Sequence, residues 1–271
     1  MLVDWPAPGA GAGSAGPELE ILGSPVLRLR VAADQPVAFV SAKLCDVFRD
    51  GTSSLVTRGF LNLTHRDGHE QPQPLVPGEF VDVAVELEAT SWTFAAGQRV
   101  RLSLAGTDWP NTVAPPKPVT LTFDLAASRL ELPALTGPAE PSAPPYPGPT
   151  PAASPGESGA GVVWRIERDV LARTVSAVVD HGSGYDIPFG GKATEHYTGR
   201  VSVDERTFGQ RATATAEFTL AWPEVTVRAT AELELRATET DFEVAGMVAA
   251  YEGEAAVSRR EWIRTLPRRL G

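Results

Sequence analysis

A single cysteine, Cys45, excludes an intrachain disulfide and any cysteine-rich zinc site. It sits in "AFVSAKLCDVF", a strand-like run where its expected role is that of a small buried hydrophobe. Long apolar runs are missing too. None approaches the ~20 residues that span a bilayer, and the start, "MLVDWPAPGAGAGSAG", lacks the basic region and continuous apolar core of a secretion signal. A cytoplasmic protein with no membrane contact is expected. Basic charge is scarce: the net charge is −10, with 10 basic against 15 acidic residues up to Leu135 and 14 against 19 from Thr136 onward. Neither part is basic enough for nucleic-acid binding. The one basic cluster, "RREWIRTLPRR", reads as a solvated terminal strand or tail at least as well as a site for an anionic partner. The Gly-x-Ser-x-Gly turn of an α/β-hydrolase is also wanting. "AGSAG" around Ser14 and "GESGA" around Ser158 each depart from it by one residue and lie in Pro/Gly/Ala-rich surroundings, with no strand before or helix after.

What the chain does contain is alternation. In "SWTFAAGQRVRLSLAGTDWPN", Val100, Leu102 and Leu104 fall on one side and Arg99, Arg101 and Ser103 on the other. This is the period of a strand with one buried and one wet face. Runs of the same kind, punctuated by "DQP", "RDG" and "AAG", fill residues 19 to 135 and predict an antiparallel sandwich. No stretch there keeps a 3.6 period. Between Pro133 and Gly161 nine of 29 residues are proline, a composition that offers few apolar anchors and reads as a linker. Strands resume beyond it. "RATATAEFTLAW" and "TVRATAELELRA" line one face with Ala212, Ala214, Ala216, Phe218 and Leu220, and with Ala229, Ala231, Leu233 and Leu235. "PE" at Pro223 and Glu224 reads as a hairpin turn or a bulge. The expected fold is all-β: a jelly-roll-like β-sandwich over 17–135 after an irregular segment 1–16, a Pro-rich linker 136–161, and a second antiparallel β domain over 162–271.

Candidate chemistry is thin. "HRDGHE" spaces His65 and His69 four apart, as a metal site on a helix requires, but Asp67 and Gly68 mark a polar hairpin loop. "VVDHGSGYD" gathers Asp180, His181, Ser183 and Asp186, yet triad members come from separate elements, and Gly182 and Gly184 read as a turn. No catalytic, metal or cofactor residue is assigned, and no cofactor is expected. The aromatics remain: Trp92, Phe94 and Trp109, with Arg99, form the candidate interface or ligand face. They suit either packing against a partner or stacking on a sugar ring.

In series, "PELEILGSPVLRLRV", "DGTSSLVTRGFLNLTHRDG" and "PLVPGEFVDVAVELEATSWTFAAGQRVRLSLAGTDWPN" resemble the C-terminal, non-catalytic jelly roll of the Xaa-Pro dipeptidyl-peptidase and cocaine-esterase (CocE/NonD) serine hydrolases. The resemblance runs from Pro17 to Leu135. It implies that the strand after Phe94 is a core strand and that Pro110 ends it near the face that meets the catalytic domain. The family carries Gly-His-Arg where this chain has Gly97, Gln98 and Arg99; that histidine lies outside the catalytic triad, so the change bears on local hydrogen bonding. The second block is similar to the β-rich extension of some bacterial members. The family's triad lies in an α/β-hydrolase domain with no counterpart in this sequence, so no catalytic residue carries over. The implied role is accessory, with an α/β-hydrolase domain or a second copy of the chain as partner. The rival reading is a stand-alone carbohydrate-binding module.

Overall fold

A computed structural model describes residues 1–6, 18–135 and 161–271. The chain divides into two compact units, Met1–Pro141 with Leu270–Gly271, and Ser142–Arg269. The proposed linker, apart from Gly161, and residues 7–17 lie outside the described residues. Among those described there is no α-helix, as the missing 3.6 period predicts, and so none long and apolar enough to cross a membrane.

The first unit holds β1 (Leu2–Pro6), β2 (Leu19–Gly23), β3 (Val26–Ala33), β4 (Phe39–Val47), β5 (Ser53–Asn62), β6 (Val81–Glu86), β7 (Thr90–Phe94), β8 (Arg99–Ala105) and β9 (Leu121–Glu131). One sheet runs β1-β8-β4-β5, a second β6-β3-β9, and β2 pairs with β7, all antiparallel. Chain neighbours are rarely sheet neighbours, so this is a crossed-over sandwich rather than a meander. The strand with the clean alternation is β8. Val100, Leu102 and Leu104 are buried there and pack with Leu27, Leu29 and Val31 of β3, Ala42 and Leu44 of β4, and Val83 and Val85 of β6. Each such aliphatic side chain contributes about 1.5–3 kcal/mol by leaving water.

Three local expectations change. The N-terminal segment is not irregular throughout, since β1 pairs in register with β8, Leu2 opposite Ser103 and Pro6 opposite Arg99. "HRDGHE" is not a hairpin loop: it follows a 3₁₀ turn at Leu63–His65 and carries the chain from β5, which pairs with β4, to β6, which pairs with β3. The run that "AAG" closes, "EFVDVAVELEATSWTF", whose alternation reads as one continuous strand, is two strands of different sheets, β6 and β7.

The second unit is one seven-stranded sheet in chain order: β10 (Val163–Asp169), β11 (Thr174–Ile187), β12 (Gly191–Asp204), β13 (Gln210–Ala221), β14 (Thr226–Ala237), β15 (Asp241–Glu252) and β16 (Ala255–Pro267). It is antiparallel throughout, as expected, and forms a meander of a single layer. Tight turns hold it. Asp169 Oδ1 accepts from the amides of Leu171 and Ala172, and Asp204 Oδ1 from those of Arg206 and Thr207. The Arg206 guanidinium and these amides hold the Asp204 carboxyl down to about 2. The "PE" segment is a hairpin turn closed by Trp222 N–H to Val225 O at 2.8 Å. Gly182 and Gly184 make no turn; both lie inside β11, opposite His196 and Thr194.

Candidate interface

The four residues proposed from sequence are spread over core and surface. Phe94 ends β7 at 0% exposure and belongs to the sandwich core, so it offers nothing to a ligand. Trp92, two residues earlier, is half-buried, and its indole Nε1 donates to Asp46 Oδ2 of β4 at 3.1 Å. That carboxylate is almost wholly buried and its other oxygen has no hydrogen-bond partner. Burial pushes the Asp46 carboxyl up, and the indole bond only partly opposes this. Arg99 is exposed and stands 3.5 Å from Asp4 Oδ2. Its neighbour Arg101 grips the same carboxylate through two bonds, Nε to Oδ1 at 2.6 Å and Nη2 to Oδ2 at 2.8 Å. These bonds hold the Asp4 carboxyl below its usual range and tie β1 to β8. The platform of Trp92, Phe94 and Trp109 that a carbohydrate-binding reading needs is therefore not assembled.

The turn that precedes β8 is closed by Gln98. Its side-chain oxygen accepts from Ala95 N at 2.5 Å while its own N–H donates to Ala95 O at 3.1 Å, closing the turn from within. Gly97 at φ 84° supplies the left-handed backbone this turn requires.

Beyond β8 the chain folds back over the outer face of β4 and β5. Asp108 anchors this loop: its carboxylate pairs with Lys43 of β4 and accepts from Asn111 Nδ2, and its carbonyl accepts from the amides of Asn111 and Thr112. The Trp109–Pro110 peptide bond is cis. Between loop and strands lies an apolar cavity of about 200 Å³, lined among others by Phe39, Val40, Phe60, Leu61, Thr107 and Val113. Phe60 and Val113 are exposed at its mouth. The buried Thr107 Oγ1 and Trp109 Nε1 have no hydrogen-bond partner. Sequence reasoning named Trp109 but missed Phe60 and Val113, because an exposed aromatic on the outer side of a strand looks the same in sequence as a buried one.

The residues that invite a catalytic reading do not converge. Ser183 Oγ donates to Glu195 Oε1 at 2.9 Å, and the pair shares a face of the second sheet with His181 and Tyr197, whose rings lie 5.1 Å apart. Asp180 and His196 Nε2, 2.8 Å apart, occupy the opposite face. Serine and the carboxylate-bound histidine are thus separated by the sheet itself, so the serine–histidine–aspartate order of a triad is not formed. His65 and His69 do meet, Nδ1 to Nδ1 at 2.9 Å, across the turn rather than along a helix. No group of three or more metal-ligating side chains occurs among the described residues. Cys45 is half-buried, and burial pushes its thiol up, toward the unreactive form.

The second sheet also carries a groove of about 610 Å³ across β11 to β16, with Asp180, Glu232, Glu234 and Glu261 among its lining residues. Three of these are already partnered, Asp180 by His196, Glu234 by Arg211 and Glu261 by Arg259. Glu234 and Glu261 serve as ion pairs on a wet face, and Asp180 as the hydrogen-bond partner of His196.

Comparison with known proteins accounts for the first unit. Residues 17–143, which contain β2 to β9, match the family model of the X-Pro dipeptidyl-peptidase C-terminal non-catalytic domain. A Streptococcus pneumoniae Xaa-Pro dipeptidyl-peptidase is 36% identical over 91 residues, 33% of this chain and 12% of that protein. The Lactobacillus delbrueckii enzyme of the same name is 29% identical over 146 residues, 41% and 18% respectively. The matched part thus spans less than a fifth of the length of either relative. Among solved structures, an alpha-amino acid ester hydrolase matches with a TM-score of 0.45 and 18% identity over 50% of this chain and 25% of that one. A CocE/NonD family hydrolase from Staphylococcus aureus gives 0.40 and 17% over 50% and 30%. Residues 17–143 are thus similar to the C-terminal non-catalytic domain of X-Pro dipeptidyl-peptidases.

Proposed function

We propose that this chain is the accessory part of an Xaa-Pro dipeptidyl-peptidase or CocE-like serine hydrolase, docking on an α/β-hydrolase domain and shaping the wall of its substrate cleft. The family match over residues 17–143 carries this reading. The apolar cavity framed by Phe60, Val113 and the Asp108-anchored loop supports it, because an uncovered apolar mouth held by rigid strands suits a protein partner better than a polar ligand. The partner supplies the serine nucleophile, its base and the substrate pocket. This unit supplies surface, and its effect on catalysis is positional: a wall that orders substrate raises turnover without touching the reacting atoms. The served reaction is hydrolysis of an acyl ester or of a peptide bond following an Xaa-Pro dipeptide.

Binding of a separately produced α/β-hydrolase domain with a Gly-x-Ser-x-Gly turn, taken from the same genome, tests the proposal. A one-to-one complex is expected in gel filtration, weakened at least ~10-fold by Phe60→Asp, since a carboxylate at a buried interface position costs ~1.4 kcal/mol or more. Absence of any complex, together with retention of the chain on an immobilised polysaccharide, favours the carbohydrate-binding module instead.

A further inference from the structure

We infer that the second unit pairs with a second copy of itself, face to face, through the apolar side of its seven-stranded sheet. Register places Ala177, Val201, Ala212, Leu235 and Val244 in one row across the strands, and Val179, Gly199, Ala214, Leu233, Gly246 and Trp262 in the next, with Arg260 and Arg264 of β16 at the rim of the same face. A third row runs Tyr197, Ala216, Ala231, Val248. The opposite face carries threonines and charged residues such as Thr213, Thr215, Glu232, Glu234 and Arg211. A sheet with one apolar and one polar face is half of a two-layer structure. Here the apolar half is open: Leu233 is 42% and Val248 43% exposed, where the aliphatic residues of the first unit's core are at most 7%.

Extent and shape both identify the missing layer as a second copy. The six strands β11 to β16, at ~4.8 Å spacing and with ten to twelve residues at ~3.4 Å each, make a face of about 1,000 Å². That exceeds the ~800 Å² per partner of a standard stable interface. The relief is self-complementary. The middle strand β13 presents a trough of alanines, Ala212, Ala214 and Ala216, and β14 beside it presents a ridge, Leu233 and Leu235. Ala214 and Leu233 are register partners, as are Ala212 and Leu235. A two-fold axis running along the strands between β13 and β14 therefore carries each leucine of one copy onto the matching alanine of the other. Both ridges enter both troughs at once, and the remaining strands are drawn over one another. This surface lies in the second unit and is independent of the Phe60 cavity on the first.

Sedimentation of the full chain with designed variants tests the pairing. The wild type sediments as a dimer. Ala214→Leu sets ridge against ridge, Leu233→Ala removes the ridge, and each weakens the homodimer at least ~10-fold. Mixing the two variants restores native-like affinity. In the mixed dimer the leucine introduced at position 214 of one copy meets the alanine introduced at position 233 of the other. The unchanged Leu233 of the first copy meets the unchanged Ala214 of the second, so both junctions again join one leucine to one alanine. Thr215→Glu on the polar face and Phe60→Asp on the first unit leave the dimer intact. A wild type monomeric at all concentrations overturns the inference. So does a dimer indifferent to both variants, or a mixture no tighter than either variant alone. Loss of the dimer in Phe60→Asp alone transfers self-association to the first unit and overturns it as well.

Discussion

Asp46 shows how one residue sets a pH dependence. Sequence places it in a strand but not on a face, and in β4 it points into the sandwich, held only by the Trp92 indole and with Oδ1 unsatisfied. Because burial raises its folded pKa above the unfolded value of ~3.9, the group favours folding in its protonated form. Its penalty is absent below the unfolded value, grows as pH rises toward the folded one, and is complete above it. Asp46→Asn keeps an oxygen for Trp92 and removes the buried charge. The variant is expected to be more stable than wild type at pH 7.5 by about 1 kcal/mol, several degrees in Tm, with the gap closing below pH ~4. Thermal melts across that range decide it; an unchanged or lower Tm at pH 7.5 contradicts the account. Neither the depth of Asp46 nor the exposure of Phe60 is legible in sequence, since each depends on which side of a strand a distant loop or strand comes to cover.

At the level of elements, sequence period located strands such as β8, β13 and β14, yet partner choice rests on contacts far apart in the chain. Gly59 of β5 illustrates this. A Cβ there would stand 2.3 Å from the carbonyl oxygen of Glu86, the last residue of β6, in a different sheet. The side chain is missing so that two backbones can approach, and neither can shift without breaking its ladder. Gly59→Ala is expected to destabilise the first unit by about 3 kcal/mol. Gly161→Ala, with open space at its Cβ position, stays within ~0.5 kcal/mol. Chemical denaturation read from tryptophan fluorescence measures both, and equal effects would contradict the close-approach explanation. The misreading of Gly182 and Gly184 has the opposite cause: glycine ordinarily signals a turn, but within β11 both are carried by fourteen residues of continuous pairing to β12.

For the molecule as a whole, the chain is expected to hydrolyse neither short-chain nitrophenyl esters nor Xaa-Pro nitroanilides. Ser183 is bound to Glu195 on one side of the sheet, while His196 is bound to Asp180 on the other. Turnover above buffer that vanishes in Ser183→Ala would refute this. The class of fold, its all-β character and the meander of the second unit were readable directly, because side-chain alternation and turn chemistry are local and each short window carries its own signal. Motifs in series also pointed to the family that residues 17–143 match. The pairing of β1 with β8, the burial of Phe94, the pocket beneath the Asp108 loop and the single-layer nature of the second unit were decided only by tertiary structure. Local sequence fixes which residues share a face of a strand. What that face meets is set by chain closure over tens of residues, and in the second sheet the apolar face of Ala214 and Leu233 has the same pattern whether it is covered or bare.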